Sequence, residues 1–121
     1  MFHRGIRWET DDRRQLALPL APCPVRASAL SLPVHSNGAT MLIVEAAVAG
    51  SDRTNGYRAK FAVEWKGPHR LVIPRSRFKP FGTPGEPEQS EWLILTVKDV
   101  GVAGTVLTVG EPEWLTETPL V

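Results

Sequence analysis

The stretch from Tyr57 to Phe78 constrains the fold more than any other part of this sequence. From Tyr57 to Trp65 every second residue is aromatic or aliphatic, and the residues between them are mostly charged. This period of two is that of a strand that packs one face on a core and turns the other to solvent. A Gly67-Pro68 turn then leads into a short apolar run that ends at Pro74. The stretch therefore predicts two consecutive strands of a sheet.

The rest of the chain carries the same β signal. The eleven prolines and ten glycines are spread along it and separate short alternating runs, which are 15–20, 27–36, 40–48, 91–97 and 105–109. About eight short strands at this spacing are typical of an antiparallel sandwich or barrel. Pro33 lies inside one of these runs. Because proline cannot donate a ladder hydrogen bond, we expect its strand to be an edge strand or to be bulged there.

Composition narrows the class of protein. A chain of 121 residues, 42% hydrophobic and 22% charged, suits a single soluble domain. No apolar run approaches the roughly 20 residues of a membrane helix. Residues 1–20 hold four arginines and no apolar core segment, so we expect no secretory signal. Cys23 is the only cysteine, which leaves no internal disulfide and no cysteine-based metal site.

The charges are unevenly distributed along the chain. Residues 53–79 contain eight lysines and arginines against one glutamate, whereas residues 80–121 contain seven acids against one lysine. A basic patch suits a uronic-acid or sulfated glycan, since arginine offers a planar fork for carboxylates. The alternative is that both segments are solvated outer faces that partly pair with each other. The net charge of +1 predicts neither nucleic-acid binding nor membrane binding.

A series of landmarks adds a resemblance to a known family. They are Trp8-Glu9, Leu-Ser-Leu-x-Val-x-Ser from Leu30, Phe-x-Val-x-Trp from Phe61, Leu-Val-Ile-Pro-x-Ser-x-Phe from Leu71, and Glu91-Trp92. This ordered set resembles the galactose-binding-like jelly-roll modules that accompany heparinase II/III-type polysaccharide lyases. The resemblance covers roughly residues 6–115 and implies an antiparallel jelly-roll β-sandwich that binds carbohydrate beside a catalytic domain. We therefore expect a single domain over 1–121, a linker-like tail over 116–121, and a longer parent protein.

Seven residues are the candidate ligand-binding set. Arg58 and Lys60 lie on the polar face of the 57–65 strand, and Glu45 and His35 join them if the strands pair as a meander. Concave sheet faces of jelly rolls are one location of glycan clefts. The following loop adds Arg75 and Arg77, and Trp92 follows a polar loop where a ring could stack on a sugar. Trp8 is a second candidate of the same kind, although large aromatics are usually structural.

No enzymatic site is predicted. The three histidines have no motif partner, and the chain has no metalloprotease, nucleophile-elbow or phosphate-loop motif, so we expect a non-catalytic protein. Many modules of the resembled family end with an Asp-Asp pair that helps to hold a structural calcium. Here that segment reads Gly110-Glu111-Pro112-Glu113. Oxygen ligands from Glu9 and Glu111 are the candidates for such an ion, since calcium prefers carboxylates.

Two functions from different classes follow. The first is a carbohydrate-binding or targeting module for a polysaccharide or oligosaccharide, with an acidic glycan favoured by the arginines. The second is a structural accessory domain that binds no sugar and packs on a catalytic domain through Met41, Ile43 or Trp114. An extracellular or periplasmic location is implied only if the parent protein is secreted.

Overall fold

The computed structural model describes residues 5–38, 42–50, 53–83, 90–99 and 104–116. Within them the chain forms ten strands and a 3-10 turn at Arg75–Arg77, where the sequence predicts about eight strands. The strands are β1 Ile6–Glu9, β2 Gln15–Pro19, β3 Ala27–Ser36, β4 Leu42–Ala49, β5 Gly56–Val63, β6 Gly67–Pro74, β7 Lys79–Phe81, β8 Trp92–Asp99, β9 Val106–Val109 and β10 Glu113–Thr116.

The strands form two antiparallel sheets of five. In sheet I, β3 is central: β6 pairs with one side, β9 and then β10 pair with the other, and β1 lies outside β9. Sheet II has the order β2-β8-β4-β5-β7. The prediction of an all-β antiparallel sandwich is confirmed.

The core lies between the two sheets and consists of the inward members of the alternating runs. Six residues at the apolar positions of the alternating runs and of the 57–74 stretch are buried, as that pattern predicts: Leu30, Leu32, Leu42, Val44, Val63 and Ile73. Leu93, Leu95, Leu107 and Val109 join them. Phe61, Trp65 and Leu71 also pack against this core but are only partly buried. The period-two alternation therefore identified the inward face of each long strand, since successive side chains of a strand point to opposite faces.

Pro33 occupies the middle of a central strand, so the prediction of an edge strand is wrong. The predicted irregularity lies instead in the strand opposite. Between Val109, which pairs with Val34, and Glu113, which pairs with Ser31, the β9–β10 segment carries one residue more than β3. The Pro33 carbonyl accepts a hydrogen bond from the Gly110 amide at 2.8 Å. Pro33 has no N–H to donate toward β9 and β10. The ladder between β3 and these strands is already interrupted at this position, so the sheet tolerates the proline.

Three tryptophans use their indole N–H to join separate parts of the sandwich. Trp8 Nε1 donates to the Arg13 carbonyl at 2.6 Å, and Trp65 Nε1 donates to the Val34 carbonyl at 3.2 Å. Trp114 Nε1 donates to the Ala21 carbonyl at 2.9 Å. Each ring also belongs to the core or packs against it, so these aromatics bury apolar surface and satisfy their polar atom at the same time.

Candidate functional site

The outer face of sheet II carries most of the predicted ligand residues. The strand register sets them in three rows that cross the strands: Trp92, Ala49, Gly56 and Phe81; Ile94, Ala47, Arg58 and Lys79; Thr96, Glu45 and Lys60. We call the first the aromatic row and the third the polar row. The middle row lies between them and is apolar on β8 and β4 and basic on β5 and β7.

Small residues form the floor between the two aromatic rings. Ala49 is fully buried and Ala47 almost so, and with Ile94 they form a second apolar cluster against which Trp92 and Phe81 pack. A Cβ on Gly56 would collide with the backbone of Val48 and Ala49, so β5 lies very close to β4 here. The centre of the aromatic row therefore carries no large side chain, and Ala49 and Gly56 are buried there.

An arginine covers the Trp92 end. The Cζ atom of Arg53 lies 4.1 Å from the centroid of the Trp92 ring, a cation–π geometry. Arg53 has φ of 61° and is the one non-glycine residue with positive φ among the described residues. Its amide donates to the Gly50 carbonyl at 3.1 Å. A non-glycine residue in the left-handed region costs about 1–2 kcal/mol, and such strain is concentrated at functional sites.

A second arginine covers the Phe81 end. The Cζ atom of Arg58 lies 5.3 Å from the centroid of the Phe81 ring. The Nε atom of Arg58 is 3.9 Å from Oε2 of Glu45, whose side chain is only 11% exposed. Because Arg58 is half exposed, this ion pair adds little stability. Its effect is to hold the guanidinium over the face with most of its donors free for another acceptor.

Two loops that meet at one end of the face fix the positions of Arg53 and Phe81. The side-chain oxygen of Asn55 accepts a hydrogen bond from the Thr83 amide at 2.6 Å, and its nitrogen donates to Thr54 Oγ1 at 3.1 Å. Gly82 has φ of +67°, and a Cβ there would collide with Asn55 and Thr54. The β4–β5 loop and the residues after β7 are therefore packed tightly against each other.

The structure brings Arg58, Lys60, Glu45 and Trp92 of the predicted set to one face. Lys60 pairs with Glu45 in the β4–β5 register, and its side chain is exposed. Arg77 lies beside this face but serves the fold, because its Nη2 donates to the Lys60 backbone carbonyl at 3.2 Å. That carbonyl lies beyond the end of β7, where β5 pairs with β4 on one side but has no strand on the other side among the described residues.

Arg75 and His35 do not join this face. Arg75 donates through Nη1 to the carbonyls of Val25 and Ala27, at 3.0 and 3.3 Å, and closes the loop before β3. The expectation that His35 joins Arg58 is wrong, because β3 pairs in sheet I and not beside β4. His35 lies on the outer face of the opposite sheet, in a shallow groove of about 640 Å³ that Pro33, Arg70 and Thr108 also line.

The predicted calcium ligands do not come together. Glu9 is at the end of β1 that pairs with Val106, whereas Glu111 follows β9 beyond the Ile6 end of β1. Glu9 lies 3.8 Å from Arg7 in an exposed ion pair. No cluster of three or more His, Cys, Asp or Glu that could hold a metal occurs in the described ranges.

The structure also bears on the roles predicted for Trp8 and Trp114. Trp8 is fully buried in the core and cannot stack on a ligand. Trp114 packs against the core of its own domain and is partly buried there. Met41 lies outside the described residues, and Ile43 is partly buried on the outer face of sheet II.

Sequence reasoning missed Arg53, Phe81 and the small-residue floor. Arg53 belongs to a polar loop without periodicity, and Phe81 lies on a three-residue strand inside a segment that reads as a Pro- and Gly-rich loop. Ala47 and Ala49 occur in a strand that is apolar on both faces, so its alternation does not single them out. The one sequence signal for the floor was that the side chains at these outward positions are small.

Comparisons with protein families, curated proteins and solved structures find no match to this chain. Among the described residues, no helix has the length and apolar character needed to cross a membrane.

Proposed function

We propose that this domain is a non-catalytic carbohydrate-binding module and that it binds acidic glycans on the outer face of sheet II. The observation that supports this most is the aromatic row, in which a floor of alanine and glycine separates two rings that each carry an arginine. Aromatic rings, planar cations and a carboxylate on one surface are the chemical groups needed to hold a charged sugar chain.

The geometry favours a ligand that lies across the strands. Trp92 and Phe81 are on β8 and β7, which are three strand spacings apart, or about 14 Å. This span exceeds a single sugar ring, so an oligosaccharide is the fitting ligand. At each end the guanidinium can bond a carboxylate or sulfate. Because it already covers one face of the ring, a sugar contacts the part of the ring that remains exposed.

The charge on the face sets the class of glycan. Arg53, Arg58, Lys60 and Lys79 lie on or beside this face, where Arg58 pairs with Glu45 and the exposed Glu64 directly follows β5. Glu45 pairs with Arg58 and can also accept hydrogen bonds from sugar hydroxyls. The surplus of positive charge favours uronic-acid or sulfated glycans over neutral ones. Affinity should be modest, with Kd about 10–1000 μM, because the site is open and has few charge-assisted bonds.

The proposal is tested by titration calorimetry with uronic-acid, sulfated and neutral oligosaccharides of equal length. The double variant Arg58→Ala with Lys60→Ala should weaken binding of the acidic ligands by roughly ten-fold, since it removes two cations from the middle and polar rows. The control is Arg26→Ala with Lys66→Ala, which removes the same charge from exposed positions away from this face. Preference for neutral sugars, or equal effects of the two double variants, would contradict an acidic ligand.

Trp92→Ala separates stacking from charge. Trp92 is only partly buried and packs on Ala49 and Ile94, so its loss should lower the free energy of unfolding by no more than about 1–2 kcal/mol. Binding of both acidic and neutral oligosaccharides should fall by about ten-fold or more, because an aromatic anchor contributes to every sugar. Calorimetry and a urea titration of the same sample measure the two effects. Unchanged affinity would remove Trp92 from the site.

A second candidate function is a structural accessory domain, and one observation favours it. The apolar cluster of Ala47, Ala49 and Ile94 with Trp92 and Phe81 lies on an outer face, where a neighbouring domain could cover it. The charged residues beside this cluster fit a glycan better than an apolar interface. A broad glycan array without any bound ligand would make the accessory function the better explanation.

A further inference from the structure

The longest free edge of the sandwich is β6. In the described residues the other edge strands are short, with four residues each in β1 and β10, five in β2 and three in β7, whereas β6 has eight. Arg77 covers the Lys60 carbonyl on the edge beside β7. Proteins keep edge strands short, cover them, or place prolines and charges on them, because unpaired N–H and C=O groups invite another strand. β6 carries Pro68, Arg70 and Pro74, so its long edge is partly protected, but the backbone between the two prolines is left open.

The register shows which backbone groups of β6 are free. The Pro33 carbonyl accepts from Gly110 and the Asn37 amide donates to Val106, so odd-numbered residues of β3 face the β9 side. Even-numbered residues of β3 then face β6, where Leu32 pairs with Leu71 and Val34 with His69. The backbone groups of the even-numbered residues of β6 consequently point away from the sheet. These residues are Pro68, Arg70, Val72 and Pro74.

The free edge is symmetric about Leu71. The two prolines have no N–H, so the edge offers two donors, the amides of Arg70 and Val72. No hydrogen bond is found for either amide on this side. Arg70 and Val72 each lie one residue from Leu71, and Pro68 and Pro74 each lie three residues from it. Val72 is also one of the few large apolar side chains that are exposed, at 47%.

We propose that β6 pairs with β6 of a second copy of this chain, antiparallel, about a two-fold axis at Leu71. In this register Arg70 of each copy faces Val72 of the other, and the four available amides all find a carbonyl. The Arg70 guanidinium lies on the outer face of sheet I, where its Nη1 donates to Ser31 Oγ of the same copy at 2.7 Å. At the two ends of the contact, Pro68 of one copy is opposite Pro74 of the other. Neither residue has an N–H, so no hydrogen bond is left unmade there. The register shifted toward Pro68 would set Arg70 opposite Arg70, and like charges in that position are unfavourable.

The symmetry also explains why the edge gives a closed dimer. An isologous contact uses the same surface on both copies and leaves no second β6 edge to propagate into a fibre. Sheet I of one copy continues into sheet I of the other, with Val72 covered by the partner strand. The contact is small, so the dimer should be weak, with Kd on the order of 100 μM. The sheet II face remains open in this arrangement, so this inference is independent of the proposed function.

Sedimentation velocity of the full chain from about 10 μM to 1 mM tests the proposal, with substitutions at Val72 that change only side-chain charge. Val72→Glu should tighten the dimer and Val72→Lys should weaken it, each roughly three- to ten-fold, because every substitution acts twice across the two-fold axis opposite Arg70. Val72→Thr is the neutral control, with little change. Far-UV spectra and thermal melts confirm that each variant is folded like the parent.

The outcomes separate the alternatives. Opposite shifts for glutamate and lysine support the Arg70–Val72 register. Weakening by both charges means that Val72 faces itself, which overturns the proposed axis. A chain that stays monomeric at 1 mM, or a dimer that none of the substitutions affects, overturns pairing through β6.

Discussion

Trp8→Ala should lower the free energy of unfolding by about 3–5 kcal/mol, which is the largest effect expected for a single substitution here. Trp8 is completely buried in the core. Among the described residues it is the largest side chain that is completely buried. Its indole N–H also satisfies the Arg13 carbonyl. β1 has only four residues and pairs only with β9 among the described strands, so the ring is the main anchor of this strand.

Urea denaturation followed by far-UV circular dichroism measures this effect without using tryptophan as the probe. Trp8→Phe is the control, because it keeps most of the apolar contact and loses the hydrogen bond; it should cost about 1–2 kcal/mol. The melting temperature of Trp8→Ala should fall by about 10–20 °C. A loss below about 1 kcal/mol would show that β1 can detach without opening the core.

Gly56→Ala should destabilise the sandwich by about 2–3 kcal/mol, although alanine is normally the better residue in a strand. The added Cβ would overlap the carbonyl oxygen of Val48 and press on the Cα atom of Ala49. Both contacts are backbone, so no rotamer change can relieve them and β5 must move away from β4. Because Gly56 is part of the aromatic row, the same shift should weaken glycan binding.

Ala62→Val is the matched control on the same strand. Ala62 is exposed and faces outward, so two added carbons meet open space and should change stability by less than about 0.5 kcal/mol. Chemical denaturation gives the stability of both variants, and calorimetry gives their affinity. If Gly56→Ala is as stable as the parent, the close approach of β5 to β4 does not constrain this site.

The regular parts of the fold were predictable because strand periodicity is local. The alternation in β5 placed Val63 in the core, and the structure confirms it. The irregular parts were not. β7 has three residues in a segment rich in Pro and Gly, too short for a period to appear, and only its pairing with β5 makes it a strand.

Part of the candidate site could likewise be predicted from the sequence, and part of it could not. Arg58 and Lys60 are two residues apart on one strand, so their common face follows from the sequence alone. Whether Glu45 or His35 joins them depends on which strands pair, and that is decided by contacts between distant residues. β4 lies beside β5, which places Glu45 opposite Lys60, whereas β3 belongs to the other sheet and carries His35 to the opposite side of the sandwich.

The sequence by itself therefore determined that this chain is an antiparallel β protein, which residues of each long strand point inward, and that a basic face lies on β5. These properties depend on the order of residues within one strand. Only the tertiary structure decided that Trp92 and Phe81 end one row, that Arg53 covers Trp92, and that Trp8 is core. These depend on strand order and register, which are set by the packing of the two sheets over separations of tens of residues.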